Sequence, residues 1–574
     1  MGSTILYKNR NIIDFMRKSI LSIALVALAL PICQASVKKG TREFETSKNL
    51  DIFNSIYKEL DLFYVDTIQP DKQIKQGIDA MLGNLDPYTT YIPESEMDNL
   101  KFMTTGEYAG VGAIIGERDG EIFISEIYEG MPAQKSGLKV GDVFLEINGE
   151  ELKGKTTSQA SELLKGQAKT VATVKIRRMG EELKFEIMRD KISIPPVSYA
   201  TLKDGIGYIN FSGFTEKSGD AFADAFSNLK KEGAKALIID LRNNPGGILG
   251  EAVKITNLFV EKKSTIVYTK GKVKEWDETY KATREPVDRN IPIAVLVNRN
   301  SASAAEILAG ALQDLDRAVI VGERTFGKGL VQTTRNLPYG GNLKVTISKY
   351  YIPSGRCIQA IDYSQRSTDG YVQRIPDSLT TEYKTAKGRI VRDGGGINPD
   401  FYVEPEKNST IAYHLYTNNI VFDYVNKYER EHESIGSLEE FKFNDYEGFK
   451  KFVKEKKFTY KLKTEEVINS LKEVAKEEGY FQLAEEEFKA LEDKLSHNVE
   501  KDLDLFKNEI TDIISVEIAK RYYYQRGEIE ESLKRDKTYQ AAVELLKDSP
   551  RYEELLSPKK EVGKGNNKTK AEKK

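Results

Sequence analysis

The chain has 574 residues, a length that exceeds what one hydrophobic core usually serves and indicates about three or four domains. Its charged content of 30% and net charge of −2 are those of an ordinary globular protein. Such a balance excludes the strongly basic field that attracts DNA or RNA. We therefore expect no nucleic-acid partner.

An export signal is predicted at the N-terminus, over residues 1–35. Two basic residues precede an apolar run, residues 20–30, and small residues follow it. The run is shorter than the about 20 apolar residues of a membrane span. We expect an exported chain that begins near Ser36 and resides in the periplasm or cell envelope. An uncleaved inner-membrane anchor is the alternative, and Met16 is an alternative start.

Four regions with different patterns follow this signal, and together they predict an α+β multidomain protein. Residues 41–98 show helical spacing and predict a small N-terminal helical domain. Residues 101–189 contain short β-like runs punctuated by glycine. Residues 194–404 alternate apolar strand-like runs with helical segments, as an α/β core does. Residues 407–556 predict a helical C-terminal domain, and the basic tail, residues 557–574, is expected to be disordered.

The second region resembles a PDZ domain in two stretches, EYAGVGAIIG and MPAQKSGLKVGDVFLEINGEEL. The resemblance implies that backbone N–H groups of Gly110, Val111 and Gly112 bind the terminal carboxylate of a peptide, which adds as a strand. A plain hairpin is the alternative for these glycines. A dinucleotide-binding loop is disfavoured because no helix follows them.

Three strand-like runs of the α/β region each lead into a loop that carries chemical groups. Residues 236–241 lead into an Asn-Pro-Gly-Gly turn whose amides could hold negative charge. Residues 293–297 lead to Ser301 and Ser303 at the start of a helix, and residues 318–321 lead to Lys328. Each loop also has an ordinary interpretation, as a βα turn, a helix cap or a surface charge.

The positions of the histidines favour a serine–lysine pair over a Ser-His-Asp triad. The chain has three histidines, His414, His432 and His497, and all lie in the helical C-terminal region. A serine activated by an uncharged lysine needs no residue from outside its own segment. The sequence lacks clusters at metal-ligand spacing, so we expect neither a metal nor another cofactor.

A nucleotide-binding loop is the strongest competing motif, because residues 322–328 match GxxxxGK. The next residue is Gly329, where a phosphate loop needs serine or threonine, and the following residues predict a strand where a helix is required.

Taken together, LDPYTTYIP, DLRNNPGG, NSASAAEILAGALQD and GERTFGKGLVQ resemble the C-terminal processing peptidases, also called tail-specific proteases. The resemblance implies a crotonase-like α/β core beside a PDZ domain. It also implies that Ser303 is the nucleophile, that Lys328 is the general base, and that Gln332 orients the lysine. The N–H groups of Gly246 and Ala304 would form the oxyanion hole.

The chain departs from this family at two positions, Tyr88, where histidine is frequent, and Ala305, where serine is frequent. Its helical end resembles the extended members of Bacteroidetes-type bacteria. Substrates are expected to be exported proteins or peptides with free, apolar C-termini, and the C-terminal helices to bind an adaptor or a second copy. A catalytically inactive PDZ scaffold is the alternative function.

Proton transfer to Lys328 requires its uncharged form, and a free lysine has a pKa of about 10.4. Burial in an apolar site lowers that pKa. The neighbours in sequence, Phe326, Leu330 and Val331, are predicted to supply the apolar surroundings.

Overall fold

The structure is a computed structural model that describes residues 41–363, 374–495 and 498–558. The predicted signal, His497 and nearly all of the predicted tail lie outside the described residues. The chain divides into two compact units, Met1–Met81 and Leu82–Lys574.

The first unit is helical over its described residues. Helix α1 (Arg42–Phe63) begins after Thr41, whose side chain accepts a hydrogen bond from the Phe44 N–H. Helix α2 (Pro70–Gly83) begins at a proline, which is favoured at the first helical position because it lacks the N–H that would be unpaired there.

The second unit opens with strand β1 (Thr90–Ile92) and helix α3 (Met97–Thr105), followed by a β-rich region. The strands of that region are β2 (Glu107–Gly110), β3 (Ala113–Arg118), β4 (Glu121–Ile127), β5 (Val143–Ile147), β6 (Glu150–Glu151), β7 (Val171–Arg178), β8 (Glu181–Met188) and β9 (Asp190–Ser193). Strands β3, β4, β5, β7 and β8 form an antiparallel sheet, and β2 pairs with β9. Helices α4 (Pro132–Lys135) and α5 (Thr157–Leu164) pack on it, and α5 begins with a Thr156–Gln159 capping box.

The α/β core follows with two sheets. Its strands are β10 (Val197–Lys203), β11 (Ile206–Phe211), β12 (Ala236–Asp240), β13 (Thr265–Gly271), β14 (Thr279–Lys281), β15 (Ile293–Val297), β16 (Val319–Gly322), β17 (Leu330–Asn336), β18 (Asn342–Tyr351), β19 (Glu382–Lys384), β20 (Ile390–Arg392) and β21 (Phe401–Tyr402). The main sheet has the order β10-β11-β12-β15-β16-β21 and is parallel from β11 to β21. Helices α6 (Ser218–Lys231), α7 (Leu249–Asn257) and α8 (Ala304–Asp314) cover one face.

The C-terminal region is helical and covers the opposite face of the main sheet. Its helices are α9 (Thr410–Thr417), α10 (Ile420–Glu431), α11 (Tyr446–Glu455), α12 (Lys463–Glu477), α13 (Glu485–Leu495), α14 (Val499–Leu505), α15 (Lys507–Leu533), α16 (Lys537–Lys547) and α17 (Ser549–Leu555). Side chains of α16 and α17 join one buried cluster with Ile238, Leu296 and Val321 of the sheet. The main sheet is therefore buried on both faces, which explains why its central strands are continuously apolar.

The segment after α2 is connected to the core by the pairing of strand β1 with a core strand. Strand β1 pairs antiparallel with β18 in the second sheet, which also contains β13, β14 and β17. The helical spacing of residues 41–98 predicts a helical domain, but residues 82–98 contain the strand β1. Local helical spacing could not indicate this, because the partner strand lies about 250 residues away in sequence.

Candidate active site

The three loops singled out in the sequence leave the main sheet at the same edge. Strands β12, β15 and β16 are neighbours and parallel, so their carboxyl ends meet there. The chain continues from these ends into residues 241–248, 298–303 and 323–329. The structure thus brings together the predicted oxyanion turn, the predicted nucleophile and the predicted base.

Ser303 stands at the N-terminal end of α8 in a strained conformation. Its backbone angles are φ 57° and ψ −116°, a conformation that residues other than glycine rarely adopt. Strain of this kind persists only where the surroundings enforce it, and it is concentrated at functional sites. No hydrogen bond joins the Ser303 hydroxyl to the Lys328 amine within the described residues.

Ser301, the other serine of this loop, is fully buried and is engaged in the turn itself. Its hydroxyl donates to the Leu241 carbonyl at 2.7 Å and accepts from the Asn298 N–H at 3.0 Å. These two hydrogen bonds connect Asn298, after β15, to Leu241, after β12, so the Ser301 side chain has a structural role.

The predicted oxyanion turn packs directly against Ser303. A Cβ atom at Gly246 would lie 2.7 Å from the Ser303 Cβ and 2.8 Å from the Ala304 nitrogen, so only glycine fits. The Gly246 N–H donates to the Asn244 Oδ1 at 2.9 Å. The buried Ala304 N–H has no hydrogen-bond acceptor among the described residues. An unpaired buried amide requires a partner, and it can donate to a substrate oxygen.

Lys328 is half-buried and lies in the loop two residues before β17. Its amine rests over the ring of Tyr88, 4.3 Å from the ring centroid. Among the described residues, the side-chain amine of Lys328 makes no hydrogen bond or ion pair. Burial lowers the pKa of Lys328 to about 8, and Lys344 adds to this effect, whereas Glu306 and Asp86 oppose it.

Glu306, which the sequence motifs did not single out, is a fully buried carboxylate that connects the two predicted catalytic residues. One oxygen accepts from the Ser303 N–H and the Lys328 N–H, both at 2.9 Å. The other accepts from the Gly327 N–H at 2.8 Å and from the Thr325 hydroxyl. Burial raises the pKa of Glu306 to about 7, and these four donors oppose that rise. The Ser-x-x-Glu spacing of a capping box was the available signal.

Tyr350 reinforces the same connection through the carbonyl groups. Its hydroxyl lies 3.1 Å from the Ser303 carbonyl oxygen and also contacts the Lys328 carbonyl oxygen, and the residue is buried. Glu306 and Tyr350 together fix the backbone of Ser303 relative to that of Lys328.

Gln332 lies on β17, immediately after a register shift between Val331 and Gln332. Its amide nitrogen donates to the Thr346 hydroxyl at 3.1 Å. Gln332 and Lys328 share no hydrogen bond among the residues that the structure describes, so the orienting role of Gln332 stays a prediction.

Gly110, Val111 and Gly112 lie at the end of β2 and in the turn to β3. Gly110 and Val111 line a cavity of about 1110 Å³ between this turn and α5, and Phe102 of α3 lines it as well. Gly112 has a φ of +74°, and a Cβ there would lie 2.4 Å from the Met131 Cβ. Glycine at this position is therefore required by the local packing.

In the described ranges, no group of three or more His, Cys, Asp or Glu side chains could hold a metal ion. Over the same ranges, each helix is too short or too polar to cross a bilayer. His414 and His432 pack on aromatic rings of the C-terminal region, Tyr460 and Tyr428 respectively.

Comparison with known families matches three parts of the chain. The models are peptidase family S41 over residues 205–364, a PDZ domain over residues 123–178, and the C-terminal helical domain of probable PDZ-proteases over residues 411–546. The fold and these matches define a serine-type peptidase with a PDZ domain and a helical C-terminal domain.

Two relatives of known class, similar to this chain in sequence, support the same class. A probable CtpA-like serine protease of Staphylococcus aureus (strain COL) is 34% identical over 354 residues, which cover 61% of this chain and 71% of the relative. A carboxy-terminal-processing protease of Bartonella bacilliformis is 35% identical over 358 residues, covering 61% of this chain and 81% of the relative. A solved photosystem II D1 C-terminal processing protease is 28% identical, covers 61% of this chain and 86% of its own, and has a TM-score of 0.35. The chain belongs to peptidase family S41, and the family predicted from its motifs is confirmed.

Proposed function

We propose that this chain is an endopeptidase in which Ser303 is the nucleophile and Lys328 is the general base. The observation that carries the proposal is the half-buried Lys328 amine, which has no hydrogen-bond partner among the described residues and a pKa of about 8. A base with a pKa near the working pH is uncharged often enough to accept the serine proton. Ser303 would then attack a peptide carbonyl, and the tetrahedral intermediate would break the C–N bond and expel the amine, which takes the proton from Lys328. Water, deprotonated by Lys328, would hydrolyse the resulting ester and release the new C-terminus and free Ser303.

In this proposal the oxyanion of the tetrahedral intermediate is bound by the N–H groups of Ala304 and Gly246. The unpaired Ala304 amide is available to a substrate oxygen. The Gly246 amide would exchange its bond to Asn244 for a bond to that oxygen. We further propose that Gln332 positions the Lys328 amine once substrate is bound.

We also propose that the substrates are exported proteins or peptides with free, apolar C-termini. The cavity beside residues 110–112 supports this, since it is lined by apolar groups such as Tyr108 and Ile114 next to backbone amides. The C-terminal residue of the substrate would bind there, and cleavage would occur near that end of the chain.

The predicted site of action is the periplasm or cell envelope. The support is the basic and apolar pattern of residues 17–30, which is that of an export signal. N-terminal sequencing of the mature protein from fractionated cells would test this. Recovery in the cytoplasm with an intact N-terminus would contradict it.

Hydrolysis of an unstructured reporter with a free apolar C-terminus tests the proposed catalysis. We expect Ser303→Ala and Lys328→Ala to abolish cleavage, while Lys231→Ala, which removes an exposed lysine at the end of α6, retains it. Cleavage by a folded Lys328→Ala protein at the wild-type rate would overturn the proposal. Mass spectrometry of chain ends retained by Ser303→Ala would then identify natural substrates.

A further inference from the structure

The apolar surface beneath the Lys328 amine comes from a distant part of the chain. Phe326, a neighbour in sequence, is 40% exposed. The Tyr88 ring instead contacts the amine, with the nitrogen 4.3 Å from the ring centroid. Tyr88 thus contributes to the site although it lies 240 residues before Lys328.

The position of this ring is fixed mainly by the backbone around it. The buried Asp86 carboxylate accepts from the N–H groups of Tyr88 and Thr89, both at 2.8 Å. Strand β1 begins at Thr90, two residues after Tyr88, and Thr90 pairs with Lys344 of β18. The ring of Tyr363 meets that of Tyr88 edge-on at 6.1 Å, and the two hydroxyl groups are 3.5 Å apart.

Hydrogen bonds also connect residues 86–89 to Gln332 through Thr346. The Thr89 hydroxyl donates to Asp86 at 3.0 Å and lies 3.4 Å from the Thr346 hydroxyl, which accepts from the Gln332 amide. One turn, residues 86–89, therefore supports both the ring under the base and the predicted orienting residue.

An aromatic face suits a lysine that must accept a proton. It excludes water from one side of the amine, which disfavours the ammonium form. It also offers no strong hydrogen-bond acceptor, so the amine is held in place without being committed to a partner. The attraction of an ammonium ion to the ring stabilises the charged form and therefore raises the pKa of the amine. The other charged groups acting on the amine are Lys344, Glu306 and Asp86, and burial has the largest effect.

We propose that Tyr88 is a positioning residue for Lys328, whose ring holds the amine in place and shields it from water while leaving it free to accept a proton. The inference rests on the proposed function, because it requires Lys328 to be the base. The aromatic ring is the active feature, and the phenolic hydroxyl is dispensable.

This inference is tested by measuring kcat/KM against pH, with the full chain as the enzyme and the reporter peptide as the substrate. In Tyr88→Ala, water reaches the amine, so we expect the rise in rate to move to higher pH by about one unit or more. The rate at pH 7 then falls about tenfold and recovers at higher pH, since one pKa unit is a factor of ten. A general folding defect would lower the profile at every pH without moving it.

Two further variants separate the ring from the hydroxyl. Tyr88→Phe keeps the aromatic face, and we expect its profile to stay close to that of the wild type. Tyr363→Phe removes only the hydroxyl that faces Tyr88 and should behave in the same way. Labelling of Ser303 by a fluorophosphonate, followed against pH, reports the same ionisation in folded molecules.

An unmoved profile for Tyr88→Ala, or an equal loss in Tyr88→Phe, would overturn the role of Tyr88. Substantial turnover by Lys328→Arg would instead overturn the proposed function. The two failures are distinguishable because the second involves no change at position 88.

Discussion

At the scale of single residues, the protonation of Lys328 determines when the proposed reaction can occur. Only the neutral amine can take a proton from Ser303, so the rate should rise with pH through a value of about 8, below the about 10.4 of a free lysine. Arginine keeps the charge and cannot be deprotonated, so Lys328→Arg should be as inactive as Lys328→Ala. Steady-state kinetics between pH 6 and pH 10 measure both effects. Near wild-type turnover by a folded Lys328→Arg protein would require a different base.

Ser301 and Ser303 should respond differently to the same substitution. Ser303→Ala removes the proposed nucleophile and should abolish proteolysis. Ser301→Ala removes two buried hydrogen bonds, which should reduce the free energy of unfolding by about 1–3 kcal/mol and leave a measurable rate. Chemical denaturation and reporter hydrolysis distinguish the two outcomes. Equal and complete loss of activity in both folded variants would contradict the assignment of roles.

Glu306 should be sensitive even to an isosteric change. In Glu306→Gln, one oxygen becomes an NH₂ group that faces the N–H and O–H donors now bound by the carboxylate. Each donor left unpaired costs about 1–3 kcal/mol. We expect a lower unfolding temperature and a lower kcat. Glu232→Gln, at an exposed glutamate, serves as the control and should change neither quantity. Wild-type stability and turnover in Glu306→Gln would show that these bonds are unimportant.

Residue roles could be predicted from sequence only where the signal was local. Ser303 and Lys328 each follow an apolar strand within a few residues, so the sequence places them at one sheet edge. The four donors to Glu306 come from two loops, residues 298–303 and 323–329, and the Tyr88 ring comes from another part of the chain. Apart from the Ser-x-x-Glu spacing that joins Ser303 to Glu306, no spacing in the sequence encodes those contacts. The sequence also could not indicate that Asn244 binds the Gly246 amide, because that bond depends on the conformation of the turn.

At the scale of elements, regular strands and helices of the core were predicted well, and long-range pairings were not. The apolar runs before Ser303 and Lys328 match β15 and β16 to within a residue, because strands buried on both faces are continuously apolar. The pairing of β1 with β18, and the packing of α16 on the sheet, depend on partners far away in sequence. An adaptor or a second copy on the C-terminal helices stays a prediction, and α16 already uses its apolar side chains internally.

The contribution of α16 to stability can be measured at Leu545. This side chain is 2% exposed and packs in the cluster that covers the main sheet. Leu545→Ala should lower the free energy of unfolding by about 2–5 kcal/mol, because it leaves a cavity in a buried cluster. Leu505→Ala, at a side chain that is 69% exposed, is the matched control and should change stability little. Urea denaturation followed by fluorescence compares them. Equal midpoints would show that α16 is not part of the folded core.

At the scale of the whole molecule, the C-terminal helices contact the PDZ region as well as the core. Arg118 forms an ion pair with Asp423 of α10, and Lys520 of α15 lies between Glu126 of β4 and Glu528 of its own helix. Burial of Lys520 opposes its charge, but the two glutamates outweigh this effect, so its pKa is raised. Removing one member of such a group leaves a partly buried charge without its partner, which destabilises the contact. The helical domain thus contacts both the PDZ region and the peptidase core.

The proposed recognition of a chain end by the PDZ region should depend on the conformation of the loop at Gly112. Gly112→Ala would place a Cβ 2.4 Å from the Met131 Cβ, with φ at +74°, so the loop must shift. Gly120→Ala is the matched control, since Gly120 has a φ of +75° and nothing within 4 Å of its added Cβ. Both changes carry a similar backbone strain, and only the first disturbs the proposed carboxylate site. In the Ser303→Ala background, we expect Gly112→Ala to weaken binding of a free-acid peptide by about tenfold or more, which corresponds to 1.4 kcal/mol. An amidated peptide should bind weakly to both proteins, because a neutral amide replaces the charge that the backbone amides bind. Fluorescence anisotropy with the two peptides measures this, and equal affinities for acid and amide would exclude recognition of the terminal carboxylate.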